Sequence, residues 1–496
     1  MADVIAGVSV AMVLIPQSLA FAELAGLPAY YGLYAAMLPP LMAALFASSP
    51  YLQTGPTAMT SLLTLGALAV LAQPHGTDYV KLAALLALVV GVVRSVFGLF
   101  RIGWVAYLMS RPVLTGFTNA AAILIVASQL PTALGVEAEG TGILSKAWWA
   151  LSQVHLWEPA ALFLSIVTVA LVLGGRRLHP LFPGVLIAAA IGVGVSLLAG
   201  YPGPVVGSVP SGLPPFSLEF PWSSLPSLIV PGVVIALVGF AEPAAIARIF
   251  AAQDRRSWSP DREFLSQGVA NLASAFSAAF PVGGSFSRSL INRMAGGKTR
   301  WSGAVTGLVV LGFLPVAGIL APLPRAVLGA IVIAAVLRLI TLRQLAKLTR
   351  YSFPQALVAW ATFAATLILA PRVERAVLLG VGFAILIHLW RELSVHIGTD
   401  YQDETLRITP HGVLFFASAP GLEEALISQL AAHPSATRLV VDLAQLGRID
   451  YSGAIALKNV IEEAEQAGLA VEMAGIPPQT RRILANVFGA ASPLFD

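Results

Sequence analysis

Apolar stretches of about 20 residues recur along most of this chain, separated by glycine, proline and clustered charge. About 20 apolar residues cross the hydrocarbon core of a bilayer as one helix, so the pattern predicts a polytopic α-helical membrane protein. Composition agrees. Of 496 residues, 57% are hydrophobic and 11% charged, where a soluble chain carries about a quarter charged. Hydrophobic windows place fourteen spans, centred near residues 13, 39, 64, 90, 121, 166, 191, 240, 272, 290, 310, 332, 362 and 382. The third and tenth look too short to cross fully.

Basic residues test that count. Loops after even-numbered spans hold Arg101, Arg176, Arg177, Arg255, Arg256, Arg262, Lys298, Arg300, Arg338, Arg343, Lys347 and Arg350. Loops after odd-numbered spans hold only Lys81, Lys146, Arg325, Arg372 and Arg375. The positive-inside rule then puts both termini in the cytoplasm, as an even count requires. The first span begins almost at Met1 and continues past any plausible cleavage point, so it reads as a retained helix and not a signal peptide. The basic excess lies in this membrane part, where it reads as topology and not as affinity for nucleic acid. The chain has no cysteine, which excludes disulfides and thiolate metal sites. It shows no P-loop, His-Glu-x-x-His motif, nucleophile elbow or acidic metal box. Nothing points to an enzyme, a metal or a cofactor.

Several spans are broken in a patterned way. Ile15-Pro16-Gln17-Ser18-Leu19-Ala20-Phe21-Ala22 sets a proline and an amide inside the first span. Proline removes a helix hydrogen bond, and lipid leaves the freed polar group unsatisfied, so the break belongs beside protein or a wet cavity. Gln17 and Phe21 lie one turn apart on a common face, the amide suited to donating to an anion or capping the break, the ring to walling a pocket. In the eighth span Glu242 precedes Pro243. Gln53-Thr54-Gly55-Pro56-Thr57-Ala58 opens span three, and Val282-Gly283-Gly284-Ser285-Phe286-Ser287-Arg288 opens span ten. These pairs are separated by about 225–230 positions. Seven spans followed by seven inverts the second half, and short Gly/Pro-interrupted segments at matching places of two inverted halves point to a midplane transport site.

The half-helix starts carry the chemistry. Pro56 suits a first helical turn, and Ser285 can cap. Two facing helix N-termini, each with unpaired N–H groups and about half a positive charge, can cradle an anion. Arg288 compensates a substrate's charge or forms an ion pair with Glu242. Glu242 is then a proton carrier coupled to anion binding, or a lock between helices. Glu23 reads first as an exposed interfacial carboxylate, with an outer gate as the alternative. Gly303-x-x-x-Gly307 suits close helix packing.

From about residue 400 the pattern changes. Strand-like Val413–Phe416 and Leu439–Leu443 alternate with amphipathic stretches at 422–432, 452–467 and 478–488, predicting a small α/β domain. Residues 397–496 hold 6 Lys/Arg against 12 Asp/Glu, while residues 1–396 hold 23 against 13.

The Pro-Gln run with Leu24-Ala25-Gly26-Leu27-Pro28 and Tyr31-Gly32-Leu33-Tyr34, the Gly-Ser-Phe-Ser-Arg run, and Leu439–Leu443 followed by Ile449-Asp450-Tyr451-Ser452-Gly453 together resemble the SulP anion permeases, solute carrier family 26, with their C-terminal STAS domain. The resemblance implies a uracil-permease-like fold. Its transmembrane domain covers 1–396, with spans 1–4 and 8–11 as core and spans 5–7 and 12–14 as gate, and 397–496 form a cytoplasmic STAS domain. It also implies that Gly55, Pro56, Thr57 and Ala58 meet Gly284, Ser285, Phe286, Ser287 and Arg288 at the substrate site, with Gln17 and Phe21 beside them. The expected activity is secondary active transport of a small anion of the sulfate, bicarbonate, chloride or dicarboxylate class. Proton-coupled symport through Glu242 is expected first, with sodium coupling, anion exchange and a nucleobase-type permease as alternatives. The resemblance further implies a homodimer in a plasma membrane, the bacterial inner membrane, and a helix-capping role for Ser452.

Overall fold

The structure is a computed structural model that describes residues 1–107, 109–216, 219–393 and 396–489. The last seven positions of the expected C-terminal domain, 490–496, lie outside the described residues. The chain separates into two compact units, Met1–Gly382 and Phe383–Asp496.

The membrane-type helices follow the apolar stretches. In order they are α1 (Ala2–Leu24), α2 (Tyr31–Phe46), the two-residue strand β1 (Thr54–Gly55), α3 (Ala58–Leu68), α4 (Thr77–Leu99), α5 (Arg111–Leu134), α6 (Ile143–Ser152), α7 (Pro159–Val169), α8 (Gly175–Leu178) and α9 (Gly184–Ala199). Then come α10 (Leu225–Asp254), α11 (Pro260–Phe276), strand β2 (Gly283–Gly284), α12 (Phe286–Met294), α13 (Trp301–Phe313), α14 (Arg325–Val336), α15 (Leu342–Tyr351), α16 (Phe353–Ile368) and α17 (Val373–Leu393). Among the described residues, seven helical segments are long and apolar enough to cross a bilayer, and five shorter apolar ones accompany them.

Fourteen elements sit on the fourteen expected centres, with α7 running into α8 through a π-wound turn at Ala170–Gly174. α11 is short of apolar character because Ser266, Gln267, Asn271 and Ser274 are all fully buried in it. Two helices were not expected. α6 and α15 are ten-residue segments, and α15 carries Arg343, Lys347 and Arg350 with only Leu345 buried.

The inverted repeat is visible in what packs on what. α2 lies against α13 as α11 lies against α4, and α1 touches α12 and α13 as α10 touches α3 and α4. In the remaining helices α5 packs on α16 as α14 packs on α7. Each pairing maps onto the other when spans are exchanged seven places on. The strands obey the same operation. β1 and β2 pair antiparallel, Thr54 with Gly284 and Gly55 with Gly283, so exchanging 54 with 283 and 55 with 284 returns the same register. At Gly307 a Cβ would stand 2.4 Å from the Met37 carbonyl oxygen, which is why α13 needs glycine where it crosses α2.

The second unit is a mixed sheet with helices. Strands β3 (His396–Gln402), β4 (Thr405–Leu414), β5 (Arg438–Asp442) and β7 (Ala470–Ala474) lie in that order, and β6 (Leu446–Ile449) pairs with β4. β3 runs antiparallel to β4 and the other pairings are parallel. Helices α18 (Ala419–Ala432), α19 (Tyr451–Gln466) and α20 (Pro478–Phe488) match the three amphipathic stretches. Leu406, Ile408, Leu439, Val441, Leu457 and Ile461 share its core. Two details differ from expectation. The strand near residue 414 ends there, so Phe415 and Phe416 lie outside it. The α19 cap is Asp450, whose Oδ1 accepts from the Gly453 N–H at 2.7 Å, and not Ser452; a carboxylate one residue ahead of the first turn reaches that amide directly.

Candidate functional site

β1 and β2 bring the starts of α3 and α12 together at the middle of the first unit. The ladder is extended by the Ser285 N–H, which donates to the Gln53 carbonyl at 3.0 Å, and by the Gln53 N–H, which donates to Ser289 Oγ at 2.9 Å. Gln267 Nε2 donates to Thr54 Oγ1 at 2.8 Å, tying β1 to α11.

The tips end differently. α3 begins at Ala58 with Thr57 as its N-cap, so Pro56 stands before the cap and not in the first turn as expected. Thr57 and Thr60 form a reciprocal capping box: the Thr60 N–H donates to Thr57 Oγ1 at 3.2 Å and the Thr57 N–H to Thr60 Oγ1 at 3.4 Å. Ser285 occupies the N-cap position of α12, yet its side chain makes no cap bond. It lies 3.4 Å from Ser287 Oγ instead. The first-turn amide of α12, Phe286 N–H, donates to Glu242 Oε1 at 3.0 Å. A remote carboxylate therefore caps this helix. The N–H groups of Ala58, Met59, Ser287 and Arg288, which have no intrahelical partner by position, find no acceptor among the described residues.

A cavity of about 370 Å³ opens on these tips. Its wall includes Gln17, Phe21, Thr57, Ala58, Glu242, Ser285, Phe286 and Ser287. The opposite wall comes from the π-wound turn, through Val172 and Leu173, and from the end of α14, through Ala334–Val336, Arg338 and Leu339. π turns inside helices favour functional sites because they widen the groove at one point. A second cavity of about 320 Å³ shares Thr57, Glu242, Phe286 and Leu339.

Four expected residues do not line the cavity. Gly55 and Gly284 are consumed by the strand pairing, and Pro56 turns its carbonyl away to Arg288 Nη1, 2.8 Å distant. Arg288 itself is 1% exposed and lies behind β1, where a Cβ on Gly55 would meet Nη2 at 3.4 Å. Gly55, at φ +152°, is both in a backbone region that side chains avoid and in close approach to this guanidinium. Arg288 Nε and Nη2 are buried with no hydrogen-bond partner. In this state Arg288 and Glu242 make no contact within 4 Å, the guanidinium bonding to the Pro56 carbonyl and the carboxylate to the Phe286 N–H. The arginine is instead a fixed positive charge one peptide layer from the pocket.

Glu23 is not exposed as expected. Its carboxylate, with the side chain 15% exposed, meets His75 Nε2 at 3.3 Å and Arg325 Nε at 3.7 Å. These contacts join α1, the loop before α4 and the start of α14 on the side of the sparsely charged loops.

Two further buried charges that hold the approaches to β1 and β2 were missed. Arg94 of α4 is 0% exposed and donates to the carbonyls of Ala236, Val282 and Ile235 at 3.1, 2.9 and 3.1 Å. Glu263 of α11 accepts from the Ser48 and Ser49 N–H groups at 3.1 and 2.9 Å. Both hold the backbone leading into β1 or β2. The signal for Arg94 was present in the sequence, because a lone cation inside an apolar span always needs a partner.

Residues 1–362 match the model of the sulfate permease family, and residues 396–489 match the STAS domain. The chain belongs to the sulfate permease family. A probable sulfate transporter of Mycobacterium tuberculosis is 37% identical over 406 residues, covering 79% of this chain and 71% of that protein. The sodium-independent sulfate anion transporter of Bos taurus is 28% identical over 525 residues, covering 98% and 85%. Among solved structures, the murine solute carrier 26 family member A9 anion transporter in the inward-facing state superposes with a TM-score of 0.89 at 22% identity, covering 98% of this chain and 87% of that one. At that identity the likeness is one of fold. Members of this family are multi-pass membrane transporters with a C-terminal STAS domain, and the chain is a transporter of this anion-transport family rather than an enzyme.

Proposed function

We propose that the first unit carries a small oxyanion of the sulfate class across a plasma membrane, coupled to a proton, with the anion seated between the tips of α3 and α12. The observation that carries this reading is the set of open amides at Ala58, Met59, Ser287 and Arg288, backed by a guanidinium with one partner only. Four N–H donors and two helix N-termini suit an acceptor-rich anion without needing a side-chain cation in the pocket. Gln17 adds an amide and Phe21 an apolar wall. Bicarbonate, chloride and dicarboxylates are the rival cargoes.

Glu242 is the coupling group. Its carboxylate occupies the Phe286 amide, so in this state it stands in for an anion at the α12 tip. When a proton neutralises it, the tip loses its internal competitor and a substrate anion gains that donor. Anion and proton then travel together. Core helices α1–α4 and α10–α13 form one body, and α5, α7, α9, α14, α16 and α17 the gate that slides on it. The Glu23–Arg325 contact closes one side, and the cavity meets the opposite, Arg338-bearing end of α14, in keeping with an inward-facing state if both termini are cytoplasmic. The assembly is a homodimer with residues 397–496 in the cytoplasm.

Uptake of labelled sulfate into proteoliposomes under imposed proton, sodium or counter-anion gradients tests the reading. Accumulation driven by a proton gradient supports symport. Uptake that needs only internal anion, with no gradient dependence, replaces symport by exchange.

A further inference from the structure

A separate cavity of about 370 Å³ lies where the end of α2, the end of α10 and the starts of α11 and α13 converge. Arg256, Arg262, Lys298 and Arg300 line it against a single carboxylate, Asp254. That carboxylate is already engaged, by Arg293 Nη2 at 2.7 Å and Tyr51 Oη at 2.6 Å. Arg300 Nη1 donates to the Ala47 carbonyl at 3.2 Å and its guanidinium lies 5.7 Å from the Trp301 ring centre. Arg256, Arg262 and Lys298 form no ion pair with any described residue. Asp3, which accepts from the Lys298 and Thr299 N–H groups, and Glu263, which accepts from the Ser48 and Ser49 N–H groups, stand at its edge, so four cationic side chains face three carboxylates that are already hydrogen-bonded, and a positive excess remains.

Its surroundings say what kind of anion fits. Trp258 and Trp301 stand in the wall, and amphipathic rings of this type settle at the membrane–water boundary. Next to it Leu45 and Phe46 of α2 and Leu308 of α13 are exposed, which suits a lipid-facing strip running from the pocket into the bilayer. Phosphate geometry suits a fork of arginines, and basic pockets between helices on the cytoplasmic side take anionic headgroups.

We propose that this pocket seats the phosphodiester headgroup of an anionic phospholipid, its acyl chains lying along α2 and α13. The placement in the cytoplasmic leaflet rests on the topology given above, whereas the pocket itself does not. A headgroup here would clamp residues 47–53, the segment that enters β1. Asn292 Nδ2 donates to the Tyr51 carbonyl at 3.0 Å and Gln53 bonds to Ser289 and Ser285, so the clamp reaches the α12 tip through backbone.

The test uses the full chain in detergent micelles, with thermal midpoint as the reading, against short-chain phosphatidylglycerol, phosphatidylcholine of the same chain length, and inorganic phosphate. The expected result is a rise of several degrees with phosphatidylglycerol alone, lost in the triple variant R256Q/R262Q/K298Q while its midpoint in phosphatidylcholine stays near that of the unaltered protein. An equal rise in the triple variant overturns the site. A rise with inorganic phosphate matching that with phosphatidylglycerol overturns the lipid as occupant in favour of a soluble anion. Should the triple variant fail to fold, native mass spectrometry of the single variants R256Q and K298Q decides: less co-purified anionic lipid in each supports the site, and unchanged lipid overturns it. Sulfate uptake is not part of this test, so its failure leaves the transport reading untouched.

Discussion

The two half-helix tips face one cavity but each caps one first-turn amide by opposite means. α3 caps itself, Thr57 with Thr60, from residues three apart in the sequence. α12 takes its cap from Glu242, 44 positions away on another span. A self-made cap is permanent, whereas one lent by a titratable group can be withdrawn. The buried arginines repeat the contrast. Arg94 gives three N–H groups to three carbonyls and is electrostatically closed. Arg288 gives one N–H to Pro56 and leaves Nε and Nη2 unpaired. Charge at the bilayer centre costs about 3 kcal/mol on insertion scales, and a single hydrogen bond to a charged group returns only about 1.5–3 kcal/mol. Arg288 is therefore tolerated at a loss that a bound anion would relieve, and Arg94 is not in that position. One region is built to hold, the other to exchange.

The largest expected effect falls on the closed region. Arg94→Met removes three charge-assisted hydrogen bonds, to the carbonyls of Ile235, Ala236 and Val282, and should cost about 3 kcal/mol, since a single hydrogen bond to a charged group contributes about 1.5–3 kcal/mol. A clear drop in thermal midpoint of the purified protein checks this. An unchanged midpoint would erase the distinction between the two arginines.

Arg288→Gln should do the reverse. Stability holds or rises, while sulfate uptake falls by about 100-fold, the scale of losing one preorganised electrostatic group from a charge-stabilising site. Uptake that stays within a factor of two would make Arg288 structural.

Glu242→Gln keeps an acceptor oxygen for the Phe286 N–H but cannot carry a proton. Uptake should become independent of the proton gradient, with the gradient-driven part lost and counter-anion exchange retained at about a tenth or more of the original rate, since one misplaced proton-transfer group costs about 10²-fold or more only in the step that uses it. Persisting gradient dependence in this variant would place coupling elsewhere.

The smallest effect is expected at the self-made cap. Thr57→Val removes an N-cap hydroxyl worth about 1 kcal/mol. The apparent affinity for anion should weaken by roughly fivefold at most with maximal rate little altered. A loss as large as that of Arg288→Gln would mean the two tips are equivalent after all.

Much of this contrast was legible before coordinates, for a physical reason. Gly-Pro and Gly-Ser interruptions at matching places of two apolar halves marked the short segments, and the resemblance to the permease family supplied their facing arrangement. The fourteen spans and a small α/β domain followed from period and length, and the STAS character of that domain from the resemblance. What stayed hidden depends on side-chain direction. That Arg288 lies against Gly55, with its guanidinium bonded to the Pro56 carbonyl, is a matter of side-chain direction that no spacing rule reports. That Glu242 rather than Ser285 caps α12 depends on a pairing across 44 residues. Polar residues of α11 such as Gln267 and Asn271 read as a weak span, although they are fully buried and tie the backbone around both strands. α6 and α15 escaped because short amphipathic helices resemble connecting loops in a hydropathy profile.

The most direct measurement is the anomalous scattering of selenate, a heavier sulfate analogue, diffused into crystals of the unaltered protein. A peak within hydrogen-bonding reach of the Ala58–Met59 and Ser287–Arg288 amides, with the Glu242 carboxyl turned away from Phe286, is the predicted result. Selenate bound elsewhere along the path, with both tips empty and transport of the same ion intact, would contradict it.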